Sequence, residues 1–341
     1  MVAFAEFAER LGTSCGGCCL WIGAGASIAL TRRATPSWPE LVKRIADDNG
    51  KLEPTAPDLP DRLEELSQLI GHETFRQALR AKLIDPVLIA SLDLDVAEQQ
   101  AIIGARAGSM VSFNVEAISA TPFTLMSGQS QWRTFRERTD MSAALVPSGT
   151  NGAIGKPIYF PHGLLPLGNV VMTRSEYTRH LGSVAVATAV HLAIGSDLVI
   201  LGMSLADQYL RDAILQNRRW LRDVYWLGDS FGFREWARVA KVTCVAVDHA
   251  DLWRGLAAGI LAADTTGGIA KLSGDVRPIL AQYLTDLVAW HAHLPAVLDS
   301  MAQQLLATPL PQQLAMFAEV CVDAGYPLPT VLAGHSAVAG P

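Results

Sequence analysis

The chain lacks a basic excess, a signal peptide and an apolar segment with the length and continuity of a membrane span. Its formal net charge is −6, which argues against nucleic-acid binding as a main role, because phosphate-binding surfaces are rich in Lys and Arg. The N-terminal MVAFAEFAERLG shows helical spacing of its apolar residues, without a basic start before an apolar core. The apolar stretch 183–205 is broken by His191 and a Gly-Ser-Asp stop signal, so it predicts a buried helix and a buried strand. We expect a cytoplasmic protein with no membrane segment and no sequence-specific nucleic-acid contact.

The sequence also gives no indication of disulfide bonds. The five cysteines are an odd number in a chain without a secretory signal, which indicates reduced thiols. Cys15 and Cys18 form a single C-x-x-C motif, whereas a structural zinc site needs two further ligands at suitable spacing. We therefore expect no zinc, and we interpret these cysteines as core residues near the start of a strand.

Apolar residues, by contrast, are abundant: 50% of the chain is hydrophobic and 18% is charged, which is enough for a large packed core. Several apolar runs are continuous and not alternating, which is typical of strands buried on both faces of a parallel sheet. The predicted strands are 18–23, 110–115, 157–163, 197–203, 223–228 and 241–248. The predicted helices are 39–49, 61–83, 95–107, 174–194, 205–221 and 250–263. The sequence thus predicts an α/β fold, a Rossmann-like parallel sheet with helices on both faces.

The interval between the first two predicted strands, about 28 to 109, is wider than a β-α-β crossover needs. We predict a small helical insertion at about 35–108, within a main domain that covers 1–265. The polar segment 119–156 is expected to form a long loop near a site. Since no strong strand signal follows residue 248, we predict a helical C-terminal extension over 266–341.

The segment Gly-Ala-Gly-Ala-Ser, residues 23–27, lies where the first predicted strand ends and a turn begins. Glycines at a strand end let the backbone approach a pyrophosphate, the following amides point at its oxygens, and Ser27 adds a hydroxyl. A dehydrogenase fingerprint requires a third glycine, and this chain has Ile28 there. Small residues also serve tight strand-to-helix packing, so the motif is compatible with ligand binding and with packing alone.

Polar residues stand at the ends of three later strands. Asn114 and Glu116 close the second predicted strand, His162 closes the third, and Ser204 follows the fourth. The carboxyl ends of parallel strands form the ligand-binding edge of an open sheet. Each residue has an ordinary structural explanation, since asparagine is a common turn residue and histidine often packs or caps. Their coincidence at one edge favours a site.

The ordered set GAGAS, SFNVE, FPHG and GMSL resembles the motifs of the sirtuin-like NAD-binding domain. That family carries a Gly-Ala-Gly-x-Ser turn, a Thr-x-Asn-hydrophobic-Asp segment, a His-Gly pair and a Gly-x-Ser turn. Ser112 and Glu116 depart from its pattern, standing in place of threonine and aspartate. The TPSWPEL segment is similar to the Pro-Ser-Trp-x-x-Leu of the prokaryotic branch, and the resemblance spans about 15–250.

The resemblance implies roles for the matched residues. Asn114 would position water or the ribose, and His162 would bind a ribose hydroxyl and act as general base. NAD would be bound by Gly23, Ala24, Gly25, Ser27, Glu116, Gly202, Ser204 and Asp248. Of these, the segment 23–27 and Ser204 would hold the phosphates and the adenosine half, and Asp248 would accept from the adenosine ribose hydroxyls. For Asp248, a helix N-cap role is equally compatible with the sequence. NAD+ would then be the substrate and not a resident cofactor.

Classical sirtuins carry a four-cysteine zinc ribbon beside a peptide groove, and no cysteine lies between His162 and Gly202 here. The prokaryotic branch also lacks the ribbon. Resemblance to it implies an NAD+ hydrolase that releases nicotinamide and ADP-ribose in anti-phage or anti-plasmid defence by abortive infection. Such an activity needs gating, so we expect a homo-oligomer and a separate sensor such as a DNA-translocating ATPase or an Argonaute-type protein. The alternatives are a protein deacylase and a non-catalytic nucleotide-binding scaffold.

Overall fold

A computed structural model of the chain describes residues 3–13, 17–83, 91–116, 118, 120–124, 133–135, 156–163, 165, 170–178, 182–229 and 231–265, with isolated residues between 267 and 303. Within these ranges the fold is α/β, as the sequence predicts, with one all-parallel sheet in the order β3-β4-β2-β1-β5-β6-β7. The strands are β1 (Cys18–Ile22), β2 (Ala107–Ser112), β3 (Arg133–Phe135), β4 (Pro157–Tyr159), β5 (Asp197–Leu201), β6 (Val224–Gly228) and β7 (Thr243–Ala246).

The helices precede, connect and follow these strands. They are α1 (Phe4–Thr13), α2 (Ala24–Leu30), α3 (Trp38–Asp48), α4 (Leu59–Ile70), α5 (His72–Leu83), α6 (Leu94–Ala105), α7 (Thr121–Thr124), α8 (Arg174–Glu176), α9 (Gly182–His191), α10 (Gln208–Asn217), α11 (Arg234–Val239) and α12 (His249–Ala263). Several begin where the sequence offers a capping side chain. Asp93, Thr173, Asp207 and Asp248 accept first-turn backbone N–H groups of α6, α8, α10 and α12, respectively.

The hydrophobic core lies on both faces of the sheet. Every residue of β1 is buried, because its alternate side chains enter two separate clusters. Cys18, Leu20 and Ile22 pack with α1, α6 and α12, whereas Cys19 and Trp21 pack with α9, α10 and α11. Burial on both faces explains why the strand sequences are continuously apolar.

The order in which the strands are added to the sheet reverses at its centre. From β1 the chain moves to β2 and β4 on one side, and then crosses to β5, β6 and β7 on the other side of β1. Setting the short β3 aside, this is the classic doubly wound strand order. The switch point lies between β1 and β5, and in such sheets ligands bind outside the carboxyl ends of the strands there.

Three helices between β1 and β2 form a small apolar unit of their own. Residues of α3, α4 and α5 form one cluster with Val115, Leu165, Val170 and Met172, which follow β2 and β4. Helices therefore occupy the interval in which an insertion was expected. The domain boundaries at 265 and 266 stay a prediction, because most residues beyond 266 lie outside the described part of the chain.

The structure differs from the sequence prediction at several element boundaries. The segment 119–156, expected to be a loop, contains α7 and the edge strand β3. The predicted helix 61–83 is two helices, divided at Gly71, whose φ of 87° is unfavourable for other residues. The predicted helix 174–194 contains α8 and α9 as separate elements. Among the described residues, none of the helices has the length and apolar character required to cross a bilayer.

Three of the five cysteines, Cys18, Cys19 and Cys244, lie in the described part of the chain. Cys18 and Cys19 are buried in β1, and burial raises the pKa of both thiols, that of Cys19 to about 12. Cys15 and Cys321 lie outside the described residues. The described part of the chain contains no cluster of three or more His, Cys, Asp or Glu side chains able to hold a metal.

Candidate functional site

The Gly-Ala-Gly-Ala-Ser turn lies at the switch point, where β1 ends beside β5. Gly23 caps α2, so most of the motif is the first turn of a helix and not an open loop. The turn packs directly on Gly202, which follows β5: Gly23 N–H donates to Leu201 O at 3.1 Å and Gly25 N–H donates to Gly202 O at 2.9 Å. The Gly25 N–H group is therefore already hydrogen-bonded within the protein.

Close packing alone requires these glycines. A Cβ on Gly25 would lie 2.6 Å from the Gly202 Cα, and one on Gly23 would lie 2.8 Å from the Gly202 carbonyl oxygen. Gly202 has a φ of 63°, and a Cβ there would lie 2.9 Å from the Ala26 nitrogen. Of the two explanations that the sequence left open, the packing explanation is met in full, whereas the phosphate role of Gly23, Ala24 and Gly25 stays a prediction.

Asn114, Ser27 and Glu116 form a buried polar network beneath this turn. Each is at most 4% exposed. The Asn114 amide donates from Nδ2 to Gly23 O at 2.9 Å and to Ser27 Oγ at 3.3 Å, and Ser27 Oγ donates to the Glu116 carboxylate. Because Gly23 presents a carbonyl, it must face the NH2 group of Asn114, which leaves the amide oxygen Oδ1 on the other side. We call Gly23–Ser27, Asn114, Glu116 and Gly202 the glycine-turn cluster.

Glu116 lies in the segment that follows β2. It pairs with Leu165 in an isolated parallel bridge, which ties the end of β2 to the segment after β4. Its carboxylate reaches back to Ser27, so the Ser27 hydroxyl proton is directed at Glu116. The expected Ser27 and Glu116 contacts to NAD stay a prediction, and the structure places both side chains inside the protein.

His162 lies in the turn that follows β4. Gly163, with a φ of 79°, allows this turn, and the His162 carbonyl accepts from Val171 N–H at 2.9 Å. The imidazole contacts the rings of Phe113 and Tyr177, with centroid distances of 5.9 and 5.2 Å. Since Phe113 directly precedes Asn114, the structure brings His162 to the same sheet edge as the glycine-turn cluster.

Burial changes the acid–base character of His162. It lowers the pKa of the imidazole to about 4, because the charged form loses hydration. The ring is thus neutral at pH 7 and able to accept a proton. Its Nε2 lies 3.2 Å from the Tyr177 hydroxyl, whereas Nδ1 is enclosed with no hydrogen-bond partner among the described residues. The sequence reasoning missed Tyr177, because no spacing relates it to His162.

Ser204 and its neighbours form the loop that follows β5. Ser204 is exposed, and its Oγ accepts from Ala206 N–H at 3.4 Å. Leu205 is buried with a φ of 53°, an uncommon conformation for a branched side chain. Arg211 fixes the loop by donating to the Leu205 and Ala206 carbonyls at 2.6 and 2.8 Å, with its guanidinium 3.9 Å from the Phe233 ring centroid. Arg211 therefore stabilises the loop.

Asp248 is the N-cap of α12. Its Oδ1 accepts from Ala250 N–H at 2.8 Å, and the residue is exposed at the carboxyl end of the sheet, after β7. The capping role that the sequence allowed is therefore present. The contact to an adenosine ribose stays a prediction.

An open depression of about 470 Å³ lies beside α4 and α8, lined by Ala56, Asp61, Glu64, Glu65, Arg174 and Ser175. Arg174 is neutralised there by Asp61 at 2.8 Å and Asp58 at 3.2 Å. The remaining carboxylates repel phosphate, so this surface does not extend a dinucleotide site.

Comparisons with known proteins assign no family: none of the known family profiles matches this chain, and no curated protein is significantly similar to it.

Proposed function

We propose that the protein is an NAD+ hydrolase, which cleaves the bond between nicotinamide and ribose and leaves ADP-ribose. The observation that carries the proposal is that the glycine-turn cluster lies at the switch point of a doubly wound sheet and that His162, in contact with Phe113, lies at the same carboxyl edge of the sheet, where such folds bind dinucleotides. The resemblance of these segments to sirtuin-like motifs supplies the reaction. Fold alone does not specify a function, so the proposal depends on the side chains of the glycine-turn cluster and on His162.

The reaction needs few groups. Nicotinamide leaves as a neutral ring, so no general acid is required, and the enzyme must orient the ribose and deliver water. The amide oxygen of Asn114 suits this task, because its NH2 group already holds the Gly23 carbonyl. His162 is neutral at pH 7 and has a free base form, although burial, which lowers its pKa to about 4, makes it a weaker base than an exposed imidazole.

The biological role is an NAD-depleting effector of prokaryotic defence against phage or plasmids, acting in the cytoplasm. Free NAD hydrolysis would harm the host, so the proposal includes a gate. We infer a homo-oligomer and a separate activating protein, such as a DNA-translocating ATPase or an Argonaute-type protein. The protein needs no zinc for this reaction.

The test is NAD+ consumption by the purified full chain, alone and with its co-expressed genomic neighbours. Wild type is compared with His162→Ala and Asn114→Asp, each checked for folding by circular dichroism. We expect both variants to lose at least about 100-fold in rate. His72→Ala is the matched control, since His72 is exposed at the start of α5. Absence of NAD+ loss in every activated sample, or full activity of His162→Ala, would sink the proposal.

A further inference from the structure

Neither nitrogen of the His162 imidazole is open to a substrate in this structure. Nδ1 is enclosed by the protein, and Nε2 lies 3.2 Å from the Tyr177 hydroxyl. The Tyr177 ring contacts both the His162 ring and the Tyr209 ring of α10, with centroid distances of 5.2 and 6.4 Å. A base that is covered in this way must be uncovered before it can act on a ribose. The structure therefore describes a closed form of the proposed site.

Tyr177 directly follows the short helix α8, whose last residue is anchored inside the protein. The Glu176 carboxylate accepts from Met172 N–H at 2.8 Å and from Thr173 N–H at 2.9 Å. It also pairs with Arg76 of α5, and the two side chains are only 12% and 4% exposed. We call these contacts the inner anchor. A buried ion pair of this kind is costly to break, because each charge would be left inside the protein without its partner.

A second set of contacts holds α8 from outside, against α4. Arg174 donates from Nε to Asp61 Oδ1 at 2.8 Å and from Nη2 to Asp61 Oδ2 at 2.9 Å, and it pairs with Asp58 at 3.2 Å. Ser175 donates through its N–H and its hydroxyl to Glu64 Oε2, at 3.2 and 2.8 Å. We call these contacts the outer latch. The Arg174, Asp61 and Asp58 side chains are 33%, 36% and 66% exposed, so water and salt screen their attraction and the latch breaks more easily than the anchor.

We propose that Tyr177 is a gate that covers His162 and that the outer latch keeps this gate closed. When the latch breaks, α8 stays attached to the protein at the inner anchor, and Tyr177, the next residue, is released from the imidazole. The inference rests on the proposed function for the identity of the substrate that His162 then meets. The closed gate itself is a property of the fold and can be tested without NAD+.

The first experiment measures how accessible His162 is. The purified full chain is treated with diethyl pyrocarbonate, which acylates neutral imidazole nitrogens, and the rate at each histidine is followed by peptide mass spectrometry. His72, which is exposed at the start of α5, normalises the reagent in every sample. Tyr177→Ala removes the gate and defines the rate of the open form. Arg174→Gln removes the charge of the latch, and we expect it to raise the rate at His162 about fivefold above wild type, toward that of Tyr177→Ala.

Matched variants and salt separate the latch from a general loosening of the fold. The charge exchange Arg174→Asp/Asp61→Arg restores an ion pair and should return the rate at His162 to within about twofold of wild type. Arg238→Gln removes another exposed pair, that with Glu235 on α11, and should leave the rate at His162 unchanged. Raising NaCl from about 0.05 to about 0.5 M should speed the reaction in wild type but not in Arg174→Gln, because salt screens only a pair that is present. Circular dichroism confirms that each variant is folded.

The second experiment is NAD+ consumption by the same proteins without an added activator. Arg174→Gln should raise the rate about fivefold, in step with the exposure of His162. A rate of acylation at His162 that is the same in Tyr177→Ala or Arg174→Gln as in wild type overturns the inference, and so does a charge exchange that stays as open as Arg174→Gln. If Arg174→Gln uncovers His162 but no protein consumes NAD+ under any condition, the proposed function fails and the gate stands.

Discussion

The two halves of the candidate site are built in different ways. The glycine-turn cluster lies on the central strands and is held by backbone contacts at close range, such as Gly25 N–H to Gly202 O. His162 and Tyr177, here called the histidine cluster, lie on segments after β4 and are held by side-chain contacts, the Tyr177 hydroxyl lying 3.2 Å from His162 Nε2. Close packing of the backbone determines the geometry of the first half, whereas the geometry of the second half depends on hydrogen bonds and charge. Variants should therefore damage the two halves separately.

The largest effect is expected from the ion pair that supports the histidine cluster. Arg76→Met leaves the Glu176 carboxylate buried without its cation, and we expect a loss of about 3 to 5 kcal/mol in the free energy of unfolding. Urea-induced unfolding measures it. The double variant Arg76→Met/Glu176→Gln should recover more than half, because the unpaired charge is gone. Equal losses in the single and double variants would show that packing, and not charge, dominates here.

Gly25→Ala is the corresponding test of the glycine-turn cluster. The new methyl group would meet the Gly202 backbone at 2.6 Å, and backbone yields less than a side chain. We expect a loss of about 3 kcal/mol in the free energy of unfolding. Gly232→Ala, where a Cβ meets open space, should stay within about 0.5 kcal/mol of wild type. A stable, well-folded Gly25→Ala would contradict the steric account of this half.

The pH dependence of the free energy of unfolding should also distinguish the two halves, because we expect it to come from His162. Its folded-state pKa of about 4 lies below the ordinary 6.5. Between these values the unfolded chain binds the proton more strongly, so stability is present at neutral pH and falls as pH drops from about 6.5 toward 4. From pH 7.5 to 5, wild type should lose about 2 kcal/mol relative to His162→Gln. Chemical denaturation at both pH values checks this, and parallel curves for the two proteins would refute it.

The smallest effect is expected at the outer end of the sheet, at Asp248. Asp248→Ala removes the N-cap of α12 and should cost about 1 kcal/mol in the free energy of unfolding, as measured in urea. Asp248→Ser keeps the cap and should restore stability. An adenosine contact predicts in addition that KM for NAD+ rises in both variants. An unchanged KM in Asp248→Ser would leave capping as the whole role of the residue.

Much of the fold was predictable because it depends on local pattern. Continuous apolar runs indicated the parallel strands, and the glycine motif marked the end of β1. The errors have physical causes. The edge strand β3 is three residues long, too short for a periodic signal, and the predicted helix 61–83 contained a glycine whose positive φ becomes necessary only when α4 and α5 pack together. The sequence marked Asn114 and His162, but it did not indicate that Ser27 donates to Glu116.

By itself, the sequence determined the class of fold, the order along the chain of six of the seven described strands, and the polar residues near their carboxyl ends. Periodicity and capping act within a few residues, so they can be seen without knowing what packs where. The tertiary structure alone decided which groups contact one another: Gly202 packs against the glycine turn, Arg76 pairs with Glu176, and the Asn114 amide donates to the Gly23 carbonyl. These partners are far apart in the chain, and only the docking of whole elements brings their protons and charges into contact.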